Sequence, residues 1–344
     1  MSSDLDVRGR VRAALDALAK PPGSLARLED LAVFLGGAQR SETPCVEAPH
    51  VLVFAADHGV AAAHAVSAYP STVTPLMVRT MREGRAAVAV LAAQADAPLW
   101  VTDVGVAAPI PPPRSADAGV RFIESRVRPG SADLVAGPAL SPAEVNVALD
   151  VGRMRVRELA AAGGDLIALG ELGIGNTTAA AALAARLLRR PAAELVGPGT
   201  GLDDDGVRAK ALLVDRALAR DGSRADDAEG ALADLGGLEL AAMVGVMLEA
   251  EERDVPVLLD GFVVGAAALT AVRLRPGVRR VLYPATRSAE PGHARVLAAL
   301  DLGAPLFDAG FRLGEASGAA LALPICAAAC ALLRHMARLA EVLE

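Results

Sequence analysis

Of the 34 basic residues in the chain only two, Lys20 and Lys210, are lysine. Acids outnumber bases, 41 to 34, and the formal net charge of -7 argues against the basic face that a nucleic-acid binder presents. No run of like charge marks an interaction tail. Cysteine is scarce as well: Cys45, Cys326 and Cys330 make an odd count with no disulfide framework, as suits a reducing cytoplasm. Cys326 and Cys330 stand one helical turn apart. No histidine or acid lies at ligand spacing from them, so they read as small core residues and no metal is expected. Uninterrupted apolar runs long enough to span a bilayer are missing, apart from residues 316–333. That run is rich in small residues and contains Pro324, so it reads as a buried helix. The opening MSSDLDVRGR lacks the apolar core of a signal peptide, and a cytoplasmic protein without a membrane partner is expected.

What is present is core. Hydrophobic residues make up 53% of 344 and charged ones 22%, enough for a large buried interior and too apolar for wholesale disorder. The first 40 residues read as helices. In SLARLEDLAVFLGG, Ser24 stands as the N-cap, with Leu25, Leu28, Leu31, Ala32 and Leu35 on one face. The pattern then alternates. Short apolar, β-branched runs (VLVFAADHGV, LWVTDVGV, DLIALGELGIG, VPVLLDGF, RRVLYPATRSAE) are separated by Ala-rich helical stretches such as TAAAALAARLLRR. Continuous apolar strands between helices indicate an α/β fold with a mostly parallel sheet and helices on both faces. Residues 114–140 are rich in Pro and Gly and read as an extended excursion. A large α/β domain is expected over residues 45–305, with residues 1–44 and 306–344 joined in a small helical domain.

Four of the apolar runs end in an acid close to a glycine: Asp57, Asp103, Glu171 and Asp260. In a parallel sheet those ends share one rim, where ligands bind. Each acid alone is better explained as a turn residue; the four together favour the rim. GELGIGNTT then offers a Gly-rich loop and a helix start near Thr177, an arrangement of free N–H groups and hydroxyls that suits an anion. It matches neither GxxxxGK[ST] nor GxGxxG, so neither an NTP-binding P-loop nor a dinucleotide fingerprint is supported. In GPGTGLDDDGVRAK, Lys210 follows another Gly-rich loop and is either a phosphate contact or a solvated helix lysine. In RSAEPGH, Ser288 is either a phosphate donor or a cap for the helix starting near Pro291. Tyr69 and Met77 in SAYPSTVTPLMV offer a ring and a thioether to a flat heterocycle, although ordinary core packing is the better reading of this stretch alone. Finally, Glu315 is the only formal charge in residues 313–333. It is either a helix-start acid on the surface or a base kept partly dry.

Taken in order, KPPGSL, AADHGV, GELGIGNTT, GTGLDDDGVRAK, LLDGF, RSAEPGH and RLGEASGAALALP resemble the nicotinate-nucleotide–dimethylbenzimidazole phosphoribosyltransferase (CobT) family, from Lys20 to about Cys330. The resemblance implies a Rossmann-like sheet, a small helical domain and a homodimer. It also implies transfer of phosphoribose from nicotinate mononucleotide to 5,6-dimethylbenzimidazole or a related base, with no cofactor, for the lower nucleotide loop of cobalamin. On that basis Glu315 matches the general base and Glu171 a second functional glutamate. Gly173, Gly175, Asn176, Thr177, Lys210 and Ser288 match positions around the mononucleotide. Tyr69, Met77 and Leu313 line the base pocket, and Asp260 is a further substrate position. Ala316 departs from the glycine usual after the glutamate, and Thr286 from a histidine common before RSAEPGH. A nucleotide-dependent hydrolase or kinase lacks support without a P-loop or a carboxylate metal pair. A non-catalytic binding protein leaves Glu315 and Glu171 unexplained.

Overall fold

The computed structural model describes residues 4–115, 119–220 and 227–344. Helices α1 (Asp4–Asp16) and α2 (Arg27–Gln39) precede strand β1 (Pro49–Ala56). Three helices, α3 (Gly59–Ala63), α4 (Val73–Arg82) and α5 (Ala87–Gln94), lead to β2 (Leu99–Gly105) and then β3 (Arg121–Glu124). Helix α6 (Pro142–Ala161) leads to β4 (Leu166–Leu172). Four more, α7 (Asn176–Leu188), α8 (Asp204–Ala219), α9 (Ala228–Leu235) and α10 (Leu238–Glu252), run on to β5 (Val257–Leu259). There follow α11 (Phe262–Leu274), β6 (Leu282–Pro284), β7 (Thr286–Ser288), α12 (Pro291–Leu300), β8 (Phe307–Phe311), α13 (Ser317–His335) and α14 (Leu339–Leu343).

The apolar runs become strands buried at every position: β1, β2 and β4 have no exposed residue. Both faces are therefore covered, which is why these strands do not alternate polar and apolar residues. Six strands pair in parallel in the order β3-β2-β1-β4-β5-β6, the doubly wound order of a Rossmann fold. Because the chain leaves β1 in one direction and β4 in the other, right-handed crossovers put α4 and α10 on opposite faces of the sheet. RRVLYPATRSAE divides: β6 ends the large sheet, whereas β7 pairs with β8 in a separate two-stranded ribbon. The excursion over residues 114–140 contains edge strand β3, and its residues 116–118 lie outside the described residues. Arg121 on that edge stacks over Trp100, 4.3 Å from the ring centre, and Arg82 stacks over Phe122 at 4.5 Å. Both are cation–π contacts that hold β3 to its neighbours.

The two ends of the chain meet. Ala19 N–H donates to the Ala337 carbonyl (2.8 Å), Leu339 N–H donates to that of Ala17 (3.0 Å), and α2 packs on α1 and α13. Helix α13 is long and apolar enough to cross a membrane by composition alone, yet half of its most apolar window is buried within the fold. It lies against α5, β4 and β5, with Ala319, Ala320, Ala322 and Cys326 fully covered.

Ser24 does not cap the second helix. Helix α2 begins at Arg27, behind Ala26, whose side chain caps nothing. The reason is Glu29, a buried acid inside the first turn. It accepts the Leu25 N–H (3.0 Å) and pairs with Lys20 at 2.8 Å, so a buried ion pair takes the place of the expected hydroxyl.

Candidate active site

In a doubly wound sheet the crevice opens where the strand order reverses, here between the C-terminal ends of β1 and β4. A cavity of about 910 Å³ lies there. Its walls come from α4, from the β4–α7 loop, from the 199–200 and 288–290 loops, and from residues 310–317 between β8 and α13.

All four strand-end acids stand on this rim and are buried. Three are turned into the protein's own backbone. Asp103 accepts N–H bonds from Gly105 and Val106 and two from the Arg126 guanidinium. Asp57 accepts the Thr74 hydroxyl (2.5 Å) and the Ala107 N–H (2.9 Å). The same Thr74 oxygen accepts the Ile174 N–H (3.3 Å), tying α4 to the β4–α7 loop. Asp260 accepts the N–H groups of Gly318 (2.7 Å) and Ala319 (3.1 Å) at the start of α13 and is not among the side chains lining the cavity. Only Glu171 faces the cavity. A strand-end acid beside a glycine has the same sequence signature whether it meets a ligand or a backbone N–H.

Asp260 matters for Glu315. The sequence leaves Glu315 as a helix-start acid, which the helix dipole would hold ionised. The helix begins two residues later, at Ser317, and its first N–H groups are taken by Asp260. Glu315 has no such donors. The residue is 5% exposed, its Oε2 has no hydrogen-bond partner among the described residues, and burial pushes its pKa up to about 7. The backbone fixes its position, since the Glu315 N–H donates to the Glu171 carbonyl at the end of β4 (3.2 Å). Glu171 is buried as well. Burial first, then the neighbouring charges of Glu239, Asp260 and Glu315, drive its pKa well above the usual carboxylate range, against the Asn176 amide that donates to Oε2.

The β4–α7 loop is held by close approach. A Cβ on Gly173 would sit 1.8 Å from the Ala56 carbonyl oxygen of β1, so no side chain fits there, and Gly175 turns the chain into α7 with φ of +100°. Among the described residues no side chain caps this helix; the Asn176 N–H donates to the Gly173 carbonyl (3.3 Å) and the Thr178 N–H to that of Gly175 (3.0 Å), which leaves the Thr177 N–H to an incoming anion. Thr177, Gly199, Thr200 and Ser288 lie around that end of the wall. The Ser288 hydroxyl accepts the Glu290 N–H (3.2 Å), and its own N–H donates to Nδ1 of His293, which burial keeps neutral with a pKa of about 4. Glu290, not Ser288, occupies the N-cap position of α12. Lys210 is placed differently from its expected role. It is completely buried, does not line the cavity, and donates to the Thr177 hydroxyl (2.8 Å) and the Gly197 carbonyl (3.3 Å).

Tyr69, Met77 and Leu313 all line the cavity. Tyr69 and Leu313 are each 56% exposed, an apolar surface that a bound heterocycle would cover. Sequence reasoning passed over Thr74, Glu290, Arg312 and Ser317, which also line the wall. Glu290 and Arg312 sit inside motifs already singled out, and Thr74 lies three residues before Met77 on the same face of α4. Among the described residues no group of three His, Cys, Asp or Glu side chains converges with metal-ligand geometry.

Known proteins resemble this chain in sequence and in fold. A family model described as phosphoribosyltransferase matches residues 1–342. The chain is 49% identical to a nicotinate-nucleotide–dimethylbenzimidazole phosphoribosyltransferase of Azotobacter vinelandii, over 94% of this chain and 90% of that protein. It is 48% identical to one from Pseudomonas aeruginosa strain PAO1, over 98% and 94%. Its fold superposes on the crystal structure of CobT from Thermus thermophilus with a TM-score of 0.90 at 43% identity, covering 98% of both chains. With matches of that identity running almost end to end, the chain belongs to the phosphoribosyltransferase family that these enzymes represent.

Proposed function

We propose that this phosphoribosyltransferase moves phosphoribose from nicotinate mononucleotide to 5,6-dimethylbenzimidazole or a related base, releasing nicotinate and forming α-ribazole 5′-phosphate for the lower loop of cobalamin. The observation that carries the reading is Glu315, a buried carboxyl without a partner, poised near pH 7 in the wall of the switch-point cavity. A benzimidazole attacks through one ring nitrogen and must lose the proton on the other. A base whose pKa lies near the working pH serves that transfer best. The attacking lone pair forms the N–C1′ bond, and the C1′–pyridinium bond breaks with its electron pair returning to the nicotinate nitrogen. The proton passes to Glu315. The leaving ring departs neutral, so no acid is needed, in contrast to the two-carboxylate case of glycosidases. The change from β to α at C1′ then requires attack from the opposite face, a single displacement with inversion.

Glu171, carried beside Glu315 by the 3.2 Å backbone bond and held by the Asn176 amide, assists in orienting the substrates at the cavity wall. The α7 start, Thr177 and Ser288 take the phosphate, and Tyr69, Met77 and Leu313 hold the acceptor ring. The pairing of a phenol ring with a thioether makes a soft wall and supports a range of acceptors wider than one benzimidazole. We also place the protein in the cytoplasm as a homodimer.

The test is incubation with nicotinate mononucleotide and a mixture of bases, with products identified by mass spectrometry and their anomeric form by NMR. Nicotinate release that depends on an acceptor, and loss of α-ribazole phosphate in a folded Glu315→Gln variant, are expected. Most activity surviving in that variant would sink the base assignment.

A further inference from the structure

Lys210 and Lys20 are the two lysines of the chain; Lys210 is buried and the Lys20 side chain is 5% exposed. Lys20 has Glu29 against it. Among the described residues Lys210 has no carboxylate within ion-pair distance; burial lowers its pKa to about 8, and Glu290 acts on it only as a nearby charge. Burying an ammonium is expensive, and its two hydrogen bonds indicate what holds it there. One goes to the Gly197 carbonyl and the other to Thr177 Oγ1, the hydroxyl in the first turn of α7 that lines the cavity.

An ammonium carries three donors and no acceptor. Thr177 Oγ1 must therefore accept from Lys210, and its own proton must point elsewhere. It does not go back to the carbonyl four residues earlier, as the hydroxyls of Thr80 and Thr270 do in their helices. What lies open to it is the cavity that Thr177 lines, at the end where the Thr177 N–H is the first-turn donor of α7 left without a carbonyl among the described residues. A hydroxyl polarised by a cation behind it is a stronger donor than one left to rotate. We infer that Lys210 is a positioning residue: it does not touch the donor nucleotide, but fixes the Thr177 hydroxyl as a hydrogen-bond donor to the phosphate. The compact ammonium suits this task, because a planar arginine fork would not converge on one hydroxyl and one carbonyl.

The inference rests on the proposed phosphate site, and the experiment separates the two. Steady-state kinetics are measured with nicotinate mononucleotide and with nicotinate riboside, which lacks the phosphate. The enzymes are the wild type, Lys210→Met, Thr177→Val, the double variant, and Thr177→Ser. The wild type should prefer the nucleotide. Either single variant should lose roughly 10- to 100-fold of that preference, the range for a hydrogen bond to a charged group, mostly through KM. Circular dichroism and urea unfolding of each variant check separately that it folds. The double variant should be no worse than either single one, and Thr177→Ser should keep the preference. Multiplying losses in the double variant would mean that Lys210 meets the phosphate directly. A Lys210→Met enzyme with its preference intact would remove Lys210 from phosphate binding. Either result overturns the inference. A wild type that consumes neither donor sinks the proposed function instead, and titration with inorganic phosphate then carries the same four-protein cycle.

Discussion

Glu315→Gln should make the protein more stable while removing its activity, and the size of the gain follows from burial. In the folded chain the Glu315 pKa stands at about 7, against an ordinary 4.5. At about 1.4 kcal/mol per pH unit, that difference amounts to about 3 kcal/mol. The sign follows from linkage. A carboxyl whose folded pKa is raised is held preferentially in its protonated form. Its contribution to stability is complete below pH 4.5 and is lost progressively as pH rises to about 7. Glutamine imitates the protonated form at every pH. Wild type and variant should therefore unfold alike at pH 4.5, and the variant should be about 3 kcal/mol more stable at about pH 8, a rise in Tm of roughly 5 °C for a chain of this size. Urea unfolding at the two pH values, with the slope m compared between proteins, measures it. Equal midpoints at the higher pH would refute the reasoning, because they would mean that the ionised carboxylate is solvated in the free protein. Two other mechanisms predict the opposite sign: loss of a helix-start charge or of a salt bridge would make the variant less stable there.

Three further outcomes follow from the same geometry. The value of kcat/KM should be flat above about pH 8 and fall tenfold per unit below about pH 7 as Glu315 takes up a proton; a profile flat to about pH 5 would contradict the base. Thr74→Val removes the donor to Asp57 and the acceptor of the Ile174 N–H, both buried, and should lower stability by about 2–3 kcal/mol in urea unfolding; a change under about 0.5 kcal/mol would show that the bridge is idle. Tyr69→Ala should raise KM for dimethylbenzimidazole about tenfold and leave that for nicotinate mononucleotide within about twofold, as expected of a ring that only stacks on the acceptor; steady-state titration of each substrate tells these apart.

The parallel sheet was legible because burial on both faces leaves a mark of its own, a strand with no polar alternation, and β1, β2 and β4 carry it over seven or eight residues each. The rim was legible for the same reason, since strand ends with acids and glycines stack on one edge of a parallel sheet. Which acids face the ligand was not. Asp260 meets the helix start at Gly318, 58 residues further on, and no local pattern announces that partner. Lys210 was found through the glycine loop before it. Its side chain runs behind Thr177, and that depends on the packing of α7 against α8, which two separate segments decide together. The cap of α2 failed on a similar point: an acid in the first turn reads as a dipole contact, whereas burial with Lys20 turned Glu29 into the cap itself.

The departure at Ala316 has a physical account. Gly314, Glu315 and Ala316 follow one another at φ of +78°, +59° and +62°. A glycine meets that conformation freely; each of the other two gives up roughly 1–2 kcal/mol. Such strain persists only where the surroundings enforce it. Here the Glu315 N–H is fixed on β4, Asp260 holds the first turn of α13, and Gly170 leaves room beneath. A Cβ on Gly170 would lie 2.0 Å from the Ala316 nitrogen and 2.6 Å from its methyl, so the glycine that position 316 lacks is matched by one on the strand below. The methyl fills that hollow without contacting solvent. The substitution therefore leaves the left-handed turn in place, and with it the direction in which Glu315 enters the cavity. If that is right, Gly170→Ala should be far more damaging than Ala316→Gly. The first drives a side chain into backbone that cannot yield, and should lower stability by about 3 kcal/mol and abolish turnover; the second removes one methyl and relieves one strained residue, and should leave both within a factor of a few. Equal tolerance of the two substitutions, in unfolding and in product formation, would show that the turn is not held from below.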